Sequence, residues 1–195
     1  MKLATTADQS QTPSQTSAAA LPAGTPGAIL SFYAYWASLP RTNNVPRLSD
    51  YLDNAPSALQ PFVAIVDVLS PTQTGPRLIG TGFVDLLDRD DTGRPVPTAY
   101  SATVRELVSH AAWTAVTRPA AYLCMRSFRT KAGRPTHADS ICLPLFNRPG
   151  APPLIVSYAA ITKASLKIEH SDQLQSTVDF KVTHWIDIGA GVPQA

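Results

Sequence analysis

The segment Arg77–Arg94, RLIGTGFVDLLDRDDTGR, constrains the fold of this chain more than any other. A short apolar strand at Leu78-Ile79 runs directly into Gly80-Thr81. A short helix follows, with Phe83, Val84, Leu86 and Leu87 on its apolar side, and it ends in a charged corner closed by Thr92-Gly93. Nothing inside the segment is a nucleophile, a metal cluster or a phosphate cradle. A strand, a short helix and a turn in this order make a wall that wraps around something, so the segment points to a binding or sensing fold before an enzyme.

The flanking elements supply the rest of a domain. Ala28–Leu39 has helical length without an internal Gly or Pro and stops at Pro40. Ile29, Phe32, Tyr33 and Trp36 recur at i, i+3, i+4 and i+7, one face of a helix. That face predicts packing on its own domain, with a dimerisation helix presenting Phe32 and Trp36 as the alternative. A short helix is expected near 54–59. Phe62–Leu69 is a β-branched run and reads as a strand, Ser70–Pro76 as a turn and Arg77–Gly80 as its hairpin partner. Tyr100–Thr117 predicts a second long helix with Val104, Leu107, Val108, Ala111 and Ala115 along one face. Ala121–Thr130, Thr136–Phe146 and Leu154–Thr162 read as three further strands. The expected fold is therefore α+β: a five-stranded antiparallel sheet with helices on one face and an N-terminal helix.

Residues 1–27 are Ser, Thr, Gln, Ala, Pro and Gly with almost no large apolar side chain. Such a segment buries too little surface to offset its ordering entropy and predicts a disordered tail. The domain is expected over 28–162. Residues 163–195 form a C-terminal extension of uncertain structure, in which Thr177–Ile188 is compatible with another strand.

Several residues resemble the PAS-like family of small alphaproteobacterial proteins. They are Tyr35-Trp36 with Ser38-Leu39, Pro46-Arg47, Asp67, Arg77-Leu78-Ile79-Gly80-Thr81, Arg89-Asp90 with Thr92-Gly93, Pro119, and Leu143-Pro144-Leu145. The resemblance spans about residues 28–162. One departure is Asp91, where an apolar residue is more usual. The resemblance implies a cytoplasmic sensory or interaction domain, commonly dimeric, with room for a small apolar ligand between sheet and helices. Phe83, Val84, Leu87, Leu107, Met125 and Leu143 are the expected cavity wall. Gly80, Thr81, Asp90, Thr92 and Gly93 are expected to hold the fold, Thr81 as a helix cap and Asp90 as acceptor of a backbone N–H in the turn.

Other chemistries find little support in the residues. His110, His137, His170 and His184 stand in no Ser, Cys or Asp pattern that would make a base, and no metal-ligand spacing occurs. Asp85, Asp88, Asp90 and Asp91 lie among arginines and read as a solvated charged surface. Gly80-Thr81-Gly82 lacks the remainder of a phosphate loop. Flavin-adduct and chromophore cysteine motifs are missing, as is an axial haem histidine, so no cofactor is expected. A net charge of +2 with scattered basic residues argues against nucleic acid. No apolar run approaches the roughly 20 residues of a membrane span, and the N-terminus has no signal-peptide pattern, so a cytoplasmic location is expected. If the hairpin is symmetric about Gly133, Cys124 faces Cys142, and likewise Arg129 His137, Ser127 Asp139 and Met125 Ile141. Two reduced thiols in a packed sheet are the expected state, with redox sensing the alternative. The expected function is a stand-alone, non-enzymatic sensory or interaction protein of bacterial signalling, binding a small ligand, a partner or itself. A structural adaptor without ligand and a small α+β enzyme are the alternatives.

Overall fold

In the structure, a computed structural model, residues 21–94, 100–161 and 173–194 are described. The chain opens with helix α1 (Gly27–Ser38), a small hairpin of β1 (Arg41–Thr42) and β2 (Val45–Pro46), and helix α2 (Leu48–Asp53). A 3-10 turn, Gln60–Phe62, leads into β3 (Val63–Ser70) and β4 (Gln73–Ile79). Helices α3 (Thr81–Leu87) and α4 (Ala102–Thr117) follow, then β5 (Ala120–Thr130), β6 (Pro135–Leu145), β7 (Leu154–Ala159) and β8 (Leu174–Asp187). The expected helix at 54–59 instead lies six residues earlier, as α2, with Pro56 and Pro61 breaking the chain behind it.

Among the described residues the main sheet has six antiparallel strands, in the order β4-β3-β7-β6-β5-β8, rather than five. The sixth is β8, which falls in the stretch assigned by sequence to an extension beyond residue 162. It pairs with β5 along nearly its whole length, from Ala120↔Asp187 to Thr130↔Leu174. Its alternation is interrupted by irregularities opposite Leu123/Cys124, Ser127/Phe128 and Arg129/Thr130, which blur the period-2 pattern in sequence. The tail expected over 1–27 lies outside the described residues up to position 20; from there Leu21 already packs against the core.

Helices cover both faces. On one face, Ile29, Phe32, Tyr33 and Trp36 of α1 meet Ile65, Ile141, Leu143, Leu154, Val156 and Tyr158. Phe32 stacks on Tyr158 with ring centroids 5.0 Å apart, and the Trp36 indole N–H donates to the Pro144 carbonyl at 3.1 Å. Phe32 and Trp36 are both 0% exposed, so they cannot form a dimer contact. The outward side of α1 carries Leu30, Ser31 and Ala34 instead. On the other face, α4 lays Val104, Val108, Ala111, Ala112 and Ala115 over Tyr122, Cys124, Cys142 and Ile155. Ser101 caps α4, its hydroxyl accepting from Val104 N at 3.2 Å. Strand β7 is buried along its full length because both layers press on it.

The segment Arg77–Arg94 closes the sheet edge. Arg77 reaches back to Asp67 across the β3–β4 hairpin at 2.6 Å. Asp90 Oδ1 accepts from Thr92 N at 2.8 Å, forming the expected turn. Thr92 Oγ1 then accepts from Ile79 N at 3.2 Å, and Gly93 N donates to Pro76 O at 2.7 Å. The corner thus caps edge strand β4 and hides part of a row of backbone groups that would otherwise stand open. Pro76 is tolerated in β4 because β4 is an edge. Thr81 does not cap α3: Gly80 holds the cap position, Thr81 is the first helical residue, and no side chain caps that end.

Candidate functional site

Strand alternation places Tyr122, Cys124, Arg126 and Phe128 of β5 on the face under α3 and α4, and Ala121, Leu123 and Met125 on the other. Cys142 of β6 and Ile155 and Ser157 of β7 join the first group, and Phe83, Leu87, Val108 and Ala112 cover them from the helices. A cavity of about 90 Å³ remains between the layers. That is well above the roughly 10–15 Å³ needed for a single water. It exists because small side chains meet there: Ala64, Thr74, Ala112 and Ser157 leave unfilled the volume that close packing normally occupies. Thr74 and Ser109 join their hydroxyls at 3.2 Å and tie β4 to α4 beside it.

One wall is polar. Arg126 enters from the middle of β5 and donates through Nη1 to Tyr100 Oη at 2.8 Å and through Nη2 to Ser157 Oγ at 3.0 Å. Nη2 also lies 3.6 Å from Cys142 Sγ, and the guanidinium carbon sits 5.8 Å above the Phe180 ring. Its Nε is buried without a hydrogen-bond partner. The ion pairs among the described residues do not include Arg126. A second charged group, Asp91, is buried at the rim, flanked by Arg89 at 3.8 Å and Arg94 at 3.7 Å.

The guanidinium and its neighbours set the thiol chemistry. Burial pushes Cys142 up, but a hydrogen bond from Cys124, the Arg126 charge and the Ser157 hydroxyl outweigh it and bring Cys142 down to about 6. Burial and the bond to Cys142 push Cys124 well up, so it stays a neutral thiol. Burial likewise raises Tyr122, followed by the two sulfurs beside it. Folded Cys142 keeps its proton only below about 6, against 9.0 for an unperturbed thiol. Its contribution to stability is thus present above the unfolded pKa and is lost as pH falls through 6. We predict that the urea midpoint of the wild type rises from pH 6 towards pH 9 and that Cys142→Ser removes this rise. A wild-type profile equal to that of Cys142→Ser across the window refutes the assignment.

The expected cavity residues divide. Phe83 and Leu87 line the cavity, and Val84 on the same helix does not. Leu107 is 44% exposed, because the buried stripe of α4 runs through Val104, Val108, Ala111, Ala112 and Ala115 and leaves Leu107 on the outer flank. Met125 and Leu143 point to the α1 face by strand parity, and Leu143 belongs to the core under α1. Arg126, Tyr122, Ser157 and Tyr100 were missed, and Cys142 and Asp91 were read instead as a thiol in a packed sheet and as part of a charged surface. A period-2 reading of Tyr122-x-Cys124-x-Arg126-x-Phe128 carries the signal, since it aligns one cation with three apolar residues on a single face. Of the acidic residues expected on a charged surface, Asp85, Asp88 and Asp90 are exposed and Asp88 pairs with Lys131 at 3.0 Å, whereas Asp91 is buried.

The cysteines are not directly opposed. Cys142 faces Tyr122 and Cys124 faces Ser140, a register two residues away from the expected one, and Ser127 faces His137 while Met125 faces Asp139. The reason is the turn. Thr130 and Arg134 close a three-residue loop whose last member, Gly133, is left-handed at φ +80, so the centre of symmetry is Ala132. The thiols lie diagonally on the same face, buried and unbridged. No group of His, Cys, Asp or Glu among the described residues is arranged to hold a metal ion. No described helix is long and apolar enough to cross a membrane.

A family model described as a PAS domain matches residues 25–159. Among solved structures, the crystal structure of the PAS domain of a protein from Colwellia psychrerythraea is similar at 19% identity, covering 57% of this chain and 98% of that one, with a TM-score of 0.39. No curated protein matches.

Proposed function

The chain belongs to the PAS-domain family, and from that premise we propose that it is a sensory or interaction protein of bacterial signalling rather than an enzyme. It acts by holding a small ligand in the cavity between the sheet and α3 and α4, and it passes the bound state to a protein partner or a second copy of itself. The observation that carries this reading is the cavity: a predominantly apolar enclosure with one polar wall is what a small-molecule site requires. The same layers, filled with larger side chains, would make a solid core and an adaptor without ligand.

A ligand that binds the folded chain and not the unfolded one raises stability by mass action. Native mass spectrometry of the purified protein, followed by thermal unfolding against a panel of small charged and neutral organic compounds, tests the proposal. A co-purified mass or a concentration-dependent rise in Tm is expected. A bare protein whose Tm responds to none of the panel overturns it in favour of the adaptor. The outer side of α1, Leu30 with Ser31 and Ala34, is the surface offered for contact with a partner, and the protein is expected in the cytoplasm.

A further inference from the structure

We propose that the cavity binds a small monoanionic carboxylate, with the carboxylate on the Arg126 guanidinium and an apolar body against Phe83, Val108, Phe128 and Ile155. The proposal rests on the ligand-binding reading above and adds to it the charge and size of the ligand.

Arg126 is a half-buried cation whose Nε donor is unmet. A guanidinium has five N–H donors and stays protonated in a protein, so burial obliges its surroundings to supply negative charge or acceptors. Arg126 finds a phenol, a hydroxyl and a sulfur, each of them a weaker partner than a carboxylate, and its Nε finds none. Asp91, the carboxylate at the same cavity, is already flanked by Arg89 and Arg94 and does not compensate a third cation. The Cys142 sulfur meets only Nη2, at 3.6 Å, and leaves Nε open, so a carboxylate bound there takes over the negative charge as the Cys142 thiolate takes up a proton. A carboxylate supplies the charge at any pH above its own pKa, and it matches the planar fork of a guanidinium.

The remaining wall selects the rest of the ligand. Phe83, Val108, Phe128 and Ile155 offer no hydrogen bonds, so the body beyond the carboxylate is apolar. One guanidinium facing one cavity suits a single negative charge. A phosphate dianion would bring a second charge into an apolar enclosure without a second cation to meet it. A volume of about 90 Å³ is well below the roughly 150 Å³ that holds one benzene ring, and it limits the body to a short aliphatic chain.

Propionate and butyrate, their uncharged counterparts propionamide and butyramide, and inorganic phosphate are the probes. Binding to the full chain is followed by calorimetry and by the side-chain Nε–H resonance of Arg126. The proposal expects at least one carboxylate to bind ten times or more tightly than its amide, to shift the Arg126 resonance, and to lose that advantage in Arg126→Gln. Should Arg126→Gln fail to fold, the wild-type resonance and the carboxylate-to-amide ratio still decide. Equal binding of carboxylates and amides, or carboxylate binding that leaves the Arg126 resonance in place, overturns the anion assignment and leaves the ligand-binding reading standing. Preference for phosphate overturns it as well. No binding by any probe, with a bare protein in native mass spectrometry, overturns both.

Discussion

Trp36→Ala is expected to cost about 4 kcal/mol of folding stability, within the range for truncating a buried aromatic residue. Trp36 is 0% exposed and sits at the centre of the face between α1 and the sheet. Three losses combine. The indole leaves a cavity under α1 that the surrounding β-strands cannot close, since they are fixed by pairing on both sides. The Pro144 carbonyl loses the N–H that meets it at 3.1 Å and stays buried. Arg41, whose guanidinium carbon lies 4.7 Å from the ring, loses its aromatic platform. Trp36→Phe retains much of the packing and removes the donor, so it is expected to cost about 1–2 kcal/mol. Urea unfolding of the two variants measures both. A Trp36→Ala loss below about 1 kcal/mol would show that α1 is an ornament on the sheet rather than half of its core. Against a typical total of roughly 5–15 kcal/mol, the predicted loss leaves a marginal fold.

Gly80→Ala is expected to cost about 3 kcal/mol, the upper end of overpacking. Gly80 has an ordinary extended backbone, φ −65 and ψ 148, that any residue adopts. What forbids a side chain is proximity: a Cβ there would fall on the backbone carbonyls of Gln60 and Pro61. Backbone cannot swing aside as a side chain can, so α3 would have to lift from the 3-10 turn. Phe83 and Leu87, both on the cavity wall, would move with it. Gly93 is the matched control. Its φ of +73 favours glycine, yet nothing lies within 4 Å of a Cβ there, and Gly93→Ala is expected to cost about 1 kcal/mol through backbone strain alone. Thermal and urea unfolding of the pair decides. A larger loss at Gly93 than at Gly80 would mean that conformation, not close approach, is what glycine supplies in this segment.

The residues that carry the family resemblance turn out to be contacts of the frame. Trp36 meets Pro144, Asp67 meets Arg77, and Pro46 and Arg47 flank the end of β6, with Phe146 N donating to Pro46 O at 2.8 Å. Asp90, Thr92 and Gly93 hold the edge of β4. Of the residues that carry the resemblance, Ile79 lines the cavity and the others do not. They were legible because caps, turns and helix faces are local and leave a spacing in the sequence. The ligand-facing residues were less legible because they depend on which side of a strand each position takes. That parity follows from register, and register follows from one three-residue turn.

By itself the sequence determined the α+β class, the amphipathic α1 and the strand–helix–turn unit from Arg77 to Arg94, all through patterns of a few residues' range. Only the tertiary structure decided that β8 completes the sheet, that α1 and α4 cover opposite faces, and that the face under α4 is hollow with Arg126 in it. These follow from pairing between strands more than 40 residues apart and from the volumes of side chains that meet across layers. Such quantities are set by the whole fold, so no local spacing records them. The segment from Arg77 to Arg94 accordingly reads as a wall in sequence, while what it encloses is set by β5, β6 and β7.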